Sequence, residues 1–199
     1  MNIVLATRNQ KKTEEIRRIL AGTGVLLQNL SDFPDCPEVV EDGVTFQENA
    51  AKKAWAVAQF TGLPALADDS GLVVDCLGGA PGVWSARYAG EDASDADNMH
   101  KLLEAVRDHP PSARTAHFAC VMTLAYPDGR LHHFYGRIAG RIVDTPRGSN
   151  GFGYDPVFVP ETLDRTFAEL PGEQKDVISH RGRALAAFAS TLGAWSMVE

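Results

Sequence analysis

The chain has 199 residues, 44% of them hydrophobic, a formal net charge of −7 and three cysteines. The acidic balance excludes a non-specific nucleic-acid or membrane surface, and no run approaches the ~20 apolar residues needed to span a bilayer. Cys36, Cys76 and Cys120 lie far apart with no C-x-x-C pair, which argues against a metal–thiolate site and fits a reducing compartment. The N-terminal apolar run ends at Arg8, too short for a signal peptide, so a cytoplasmic protein is expected.

Residues 2–6 read as a short buried strand. A loop follows over 7–10, then a helix over 11–21 with Ile16, Ile19 and Leu20 on one face, and a second strand over 25–30. Residues 31–43 are polar and broken by Pro34 and Pro37, hence loop. Thr45 and Glu48 have capping-box spacing and open a helix that runs to about Phe60. Short strands are expected at 66–68 and 72–75, either side of an acidic pair. Residues 94–97 cap another helix, buried through Met99, Leu102, Leu103 and Val106 and stopped by Pro110 and Pro111. Residues 114–126 and 131–143 read as a hairpin around the turn Pro127-Asp128-Gly129. A glycine-rich loop over 145–155 precedes a short strand at 156–159, and a last helix runs from His180 to about Met197. Early alternation of strands and helices followed by a long hairpin predicts an α/β fold with a mixed sheet. At this length the chain is one domain, or two lobes sharing one sheet.

Several stretches carry candidate chemistry. Asp68 and Asp69 sit between apolar residues that read as buried strand, with Ser70 and Gly71 next. Carboxylates are costly to bury unless they hold a metal or a partner. Successive strand residues point to opposite faces, so at most one of the pair faces a given site. An Asx-type turn closing a strand is the competing reading of the same residues. Thr7, Arg8, Asn9, Gln10, Lys11 and Lys12 join a strand to a helix N-terminus, which offers free N–H groups and positive dipole character to a phosphate. The same residues also suit a plain helix cap. Glu41 is a second oxygen ligand for magnesium beside Asp69, or else part of a solvated acidic turn. Glu48 and Lys52 form an i,i+4 pair, and Lys53, one step around the helix, is placed for phosphate. Phe152, Gly153, Tyr154 and Asp155 belong to a loop able to lay a ring against a planar base, or simply to anchor aromatics in the core. Ser179, His180 and Arg181 open the last helix, with Lys175 shortly before, and offer donors to a base carbonyl or a cap to the helix.

Taken in order, the stretches TRNQKK, EDGVTFQENAAKKA, ADDSGLVVDCLGGAPGVWSARYAG, GSNGFGYDPVF and EQKDVISHRGRAL closely resemble the inosine/xanthosine triphosphate pyrophosphatase family, from end to end of the chain. Arg8 departs from the glycine that many members carry. The resemblance implies an elongated α/β fold, a single domain over residues 1–199 with a long mixed central sheet, flanking helices and a cleft between two lobes. It implies a homodimer, Mg²⁺ as cofactor, and hydrolysis of purine nucleoside triphosphates such as ITP, dITP and XTP to monophosphate and pyrophosphate. Asp69 is then general base and metal ligand, with Glu41 completing the metal site. Thr7, Arg8, Asn9, Gln10, Lys11, Lys12, Lys53 and Ser70 hold the triphosphate. Phe152, Gly153, Tyr154, Asp155, Lys175, His180 and Arg181 form the base pocket. Two rival classes are a pyrophosphatase for modified pyrimidines or dUTP/TTP, and a non-catalytic nucleotide-binding regulator. Intact Asp69 and Glu41 speak against the second.

Overall fold

The computed structural model describes residues 1–195. Strands β1 (Asn2–Leu5), β2 (Leu26–Asn29), β3 (Ala65–Val74), β4 (Thr115–Ala125), β5 (Leu131–Ile142) and β6 (Phe158–Pro160) form a six-stranded sheet in the order β2-β1-β3-β4-β5-β6. β1 runs parallel to β2 and to β3, with Asn2 opposite Leu26 and Val4 opposite Ala65. β5 and β6 are antiparallel, with Ile142 opposite Phe158. The sheet is therefore mixed and the fold is α/β, as expected.

The helices are α1 (Gln10–Ile19), α2 (Phe46–Thr61), α3 (Asp95–Val106), α4 (Gly172–Ile178) and α5 (His180–Trp195). The chain divides into two compact units. The first comprises Met1–Asp69, Cys120–Gly136 and the chain from Arg181; the second comprises Ser70–Ala119 and Arg137–His180. Each has its own apolar core. In the first unit Ile3 and Leu5 of β1 pack with Ile16 of α1, Met122 and Leu124 of β4, and Leu185 and Phe188 of α5. A second cluster there joins Val4, Ala54, Val57, Ala58 and Ala67, so the alanine-rich face of α2 is the close-packed one. In the second unit Leu72, Leu102, Phe118, Ile138, Phe158 and Phe167 meet.

Local chemistry explains most element boundaries. Asn9 caps α1 by accepting from the Lys12 N–H at 3.1 Å. Thr45 caps α2 by accepting from the Glu48 N–H at 3.1 Å, and Gly62 ends that helix at φ 68°. The return half of the capping box is absent there, because the Glu48 carboxylate takes the Val44 N–H at 2.8 Å instead. Lys52 pairs with Asp42 rather than closing the expected i,i+4 pair with Glu48. The hairpin turn is present, with the Tyr126 N–H donating to the Arg130 carbonyl at 2.9 Å.

Some expectations needed correction. The acidic pair does not sit in a turn between two short strands: β3 runs unbroken through it, because both carboxylates find cationic or amide partners inside the fold. The strand expected at 156–159 is displaced to Phe158–Pro160, since Pro156 lies in a 3₁₀ turn, Asp155–Val157. Helix α4 was not expected. It begins at Gly172 after Pro171, a weakly helical start without a side-chain cap. The expected end of the last helix at Met197 lies outside the described residues.

Candidate active site

In the first unit, β3 supplies Asp68 and Asp69, both buried, and each meets a different set of side chains. Asp68 accepts from Arg181 Nη2 at 2.9 Å and lies 3.0 Å from Lys12 Nζ. Arg181, itself 1% exposed, also donates through Nη1 to Glu15 at 2.6 Å. Lys12 and Glu15 are three residues apart on α1, on one face of the helix. Asp69 accepts from Asn49 Nδ2 at 3.1 Å through Oδ2. Its Oδ1 lies 3.7 Å from Lys53 Nζ, and that ammonium is 2.8 Å from Glu41 Oε2. Asn49 and Lys53, four apart on α2, reach the same carboxylate from one helix face.

The two aspartates are pushed in opposite directions. Burial raises the Asp68 pKa, but Lys12, Arg181 and Lys53, with the Arg181 hydrogen bond, outweigh it and hold the carboxyl well below the ordinary range. For Asp69 burial dominates and Glu41 adds repulsion. Lys53, Lys12 and the Asn49 bond only partly offset this, and the pKa rises to about 6. Burial works against the Lys53 charge, yet Asp68, Asp69 and Glu41 outweigh it and raise its pKa. Neighbouring carboxyls with separated proton affinities are the arrangement in which one stays ionised while the other exchanges a proton near neutrality.

The donor set suits a hard divalent cation. Glu41 and Asp69 present oxygen only, and both already share one cationic group, Lys53. Among the described residues no group of three or more His, Cys, Asp or Glu is clustered for a metal. Magnesium is usually held by one or two carboxylates, with water and phosphate oxygens completing its shell.

The Thr7–Lys12 stretch divides. Asn9 is committed to the α1 cap and Thr7 accepts from the Asn9 N–H at 3.2 Å. Arg8 donates to the Cys36 carbonyl at 2.8 Å, which ties this loop to the 31–43 segment. Gln10 and Lys11 are exposed, while Lys12 turns inward to Asp68.

In the second unit Asp155 is 2% exposed, and its carboxylate accepts from Lys175 Nζ at 2.6 Å and from the Phe152 N–H at 3.0 Å. The Lys175 ammonium lies 5.0 Å from the Phe152 ring centroid. Gly151, at φ 74°, has no room for a side chain, since a Cβ there would meet Asp155 Oδ2 at 2.0 Å. His180 is buried and stacks on Phe118 with ring centroids 4.7 Å apart. Tyr154 turns into the core and donates to the Ser85 carbonyl at 2.8 Å. Ser70 is half-buried on β3, and Gly153 supplies a φ of 59° in the same loop as Phe152.

Three groups thus emerge: Lys12–Asp68–Arg181, Glu41–Lys53–Asp69, and Phe152–Asp155–Lys175. Arg181 departs from its expected company: it is anchored between Asp68 and Glu15. Sequence reasoning missed Glu15, Asn49 and the pairing of Asp68. The available signals were helical spacing, Asn49 four before Lys53 and Glu15 three after Lys12.

Residues 3–191 match the Ham1 family. A dITP/XTP pyrophosphatase of Geobacter sulfurreducens is 55% identical over 99% of this chain and 98% of its own. A dITP/XTP pyrophosphatase of Streptomyces avermitilis is 52% identical over 92% of both. Among solved structures, a HAM1 protein from Coxiella burnetii superposes with a TM-score of 0.90 at 43% identity, covering 98% of this chain and 99% of the other. The Staphylococcus aureus Ham1 protein gives 0.87 at 41% identity, with the same coverage.

Proposed function

The chain belongs to the Ham1 family, and from that premise we propose that it hydrolyses deaminated purine nucleoside triphosphates (dITP, ITP and XTP) to the monophosphate and pyrophosphate. The observation that carries this reading is the divergent pair on β3. Asp68 is held ionised by Lys12 and Arg181, and Asp69 has a pKa near 6 beside Lys53 and Glu41. The relatives named dITP/XTP pyrophosphatase support the substrate class.

Asp69 accepts a proton from the water that attacks the α-phosphorus, a role for which a pKa near neutrality is suited. Glu41 and Asp69 would hold Mg²⁺, which when bound supplies Lewis-acid neutralisation of phosphate charge. Lys53 and Lys12 place positive charge where the leaving pyrophosphate gains negative charge. Thr7, Arg8, Asn9, Gln10 and Ser70 complete the phosphate-facing set, Lys11 lies on the solvent side of α1, and Asn9 keeps the start of α1 in register for Lys12.

Phe152 offers a ring face to the base. Hypoxanthine and xanthine present O6 as acceptor and N1–H as donor. His180 donates toward O6 and Asp155, held by Lys175, accepts from N1–H, while Arg181, anchored on Glu15 and Asp68, serves the Asp68 side of the site. Adenine reverses both groups, and a site that leaves buried polar groups unpaired rejects the mismatch by ~10⁴-fold. The protein acts as a cytoplasmic homodimer in this reading. The family resemblance supports the dimer. No described helix is long and apolar enough to cross a membrane.

The test is product analysis with dITP and Mg²⁺. Equimolar dIMP and pyrophosphate are expected. Orthophosphate with dIDP, in the absence of added pyrophosphatase, overturns the reading.

A further inference from the structure

Asn49 is 1% exposed, yet it is polar and lies on the α2 face that carries Lys53. Both ends of its amide are used. Oδ1 accepts the Gly43 N–H at 2.8 Å, and Nδ2 donates to Asp69 Oδ2 at 3.1 Å. Gly43 follows Glu41 by two residues in a segment without regular structure, whereas Asp69 sits on β3. A single buried amide therefore joins the turn that carries Glu41 to the strand that carries Asp69. The bond to Oδ2 also sets the carboxylate plane, because the other oxygen of Asp69 is the one nearest Lys53.

Gly43 is shaped to this contact. Its φ is not in the left-handed region, so backbone freedom does not explain the glycine. Space does: a Cβ would meet Asn49 Oδ1 at 2.6 Å and Glu48 Cβ at 2.8 Å. Only a residue without a side chain lets the backbone approach the amide this closely.

We infer that Asn49 is a positioning residue, which with Gly43 holds the Glu41 turn in register with the Asp69 carboxylate. The inference rests on the functional reading above, in which Glu41 and Asp69 act together. Asn49 touches neither water nor nucleotide in that scheme. It acts by fixing where the two oxygen ligands stand, one of them the base.

The expected signature is a loss in kcat with little change in KM. Outer partners that orient metal-binding carboxylates affect metal affinity or activity by about 10–100-fold. Asn49→Ala and Gly43→Ala should each lower kcat for dITP by that order at saturating Mg²⁺, with KM within about threefold of the parent. Mn²⁺ affinity of the nucleotide-free protein, read by electron paramagnetic resonance, should weaken by about 10-fold in both. The double variant should lose less than the two single losses combined, because both cut one linkage and only the Glu48 contact of a residue-43 side chain remains. Thermal denaturation of each variant establishes that it is folded. If Asn49→Ala does not fold, Gly43→Ala carries the test alone. A folded variant with parental kcat and Mn²⁺ affinity overturns the inference, as does additive loss in the double variant. If the parent protein does not turn over dITP, the functional reading fails, and the Mn²⁺ arm still decides whether Asn49 orders the carboxylates.

Discussion

Asp68 and Asp69 share a strand and a chemistry, and differ in company. Asp68 has two cations in direct contact, whereas Asp69 has an amide at 3.1 Å and an ammonium at 3.7 Å. This difference has opposite consequences for stability. Asp69 has a folded-state pKa raised above its unfolded value, so its contribution is fully present below about pH 4 and is lost as pH rises through about 6. Asp68 is depressed, so its contribution is present above the unfolded value and lost as pH falls through the folded one. In EDTA, Asp69→Asn should therefore stabilise the fold at pH 7.5 by on the order of 1–3 kcal/mol, seen as a higher Tm, and the gain should vanish near pH 4. The same variant should lose about 10²–10⁴-fold in kcat with Mg²⁺ present. Asp68→Asn should lower Tm at neutral pH, since it leaves the Arg181 guanidinium with one carboxylate fewer. Paired melting curves across pH and steady-state kinetics check both, and near-parental turnover by Asp69→Asn would remove it as the base.

At the scale of elements, helix faces sort the site. On α1 the residues Lys12, Glu15 and Ile16 turn inward, while Lys11 lies on the solvent side. Lys11 and Lys12 are separated by about 100° around the helix, so adjacency in sequence does not give equivalence in space. In the proposed site, where Lys12 faces phosphate and not the base, Lys12→Ala should reduce kcat/KM for dITP, XTP and dATP by a similar factor. Lys11→Ala should change these values less than about threefold, as expected for a solvated charge. Measured kcat/KM ratios across the three nucleotides distinguish these outcomes. A severe Lys11→Ala effect with a silent Lys12→Ala would mean that the opposite face of α1 meets the triphosphate. On α2 the alanine face packs into the core and the Asn49–Lys53 pair is directed to Asp69. One helix thereby contributes both to the core and to the chemistry.

At the scale of the whole molecule, Lys12, Lys53 and Asp69, proposed for phosphate and for the attacking water, belong to the first compact unit, while Phe152, Asp155 and Lys175, proposed for the base, belong to the second. Rate and selectivity should therefore respond to different substitutions. Lys175→Met retains an apolar stem against the Phe152 and Phe167 rings but removes the charge that holds the buried Asp155. Its kcat/KM for dITP relative to dATP should fall by at least about 10-fold, the scale on which unpaired buried polar groups discriminate. An equal loss on both nucleotides would assign the Asp155–Lys175 pair to stability alone.

Local pattern alone determined a large share of this protein. The buried run at 2–6, the Thr45 and Ser94 caps, the hairpin around Pro127–Gly129 and the glycine-rich 145–155 loop are short-range signals, and each appears close to its expected place. That Glu41 and Asp69 come near one another was legible through motif order, whereas the Lys53 bridge between them was not. Tertiary structure decided what pairing across long separations decides. Arg181 meets Glu15 and Asp68 across 166 and 113 residues, and Asn49 meets Asp69 across 20. No spacing rule encodes such contacts, so the unbroken passage of β3 through two carboxylates looked costly until their partners were known. The opposed proton affinities of Asp68 and Asp69 have the same origin. Neighbours in sequence share a backbone, but the charges that set a pKa arrive from other elements through the packing of the fold.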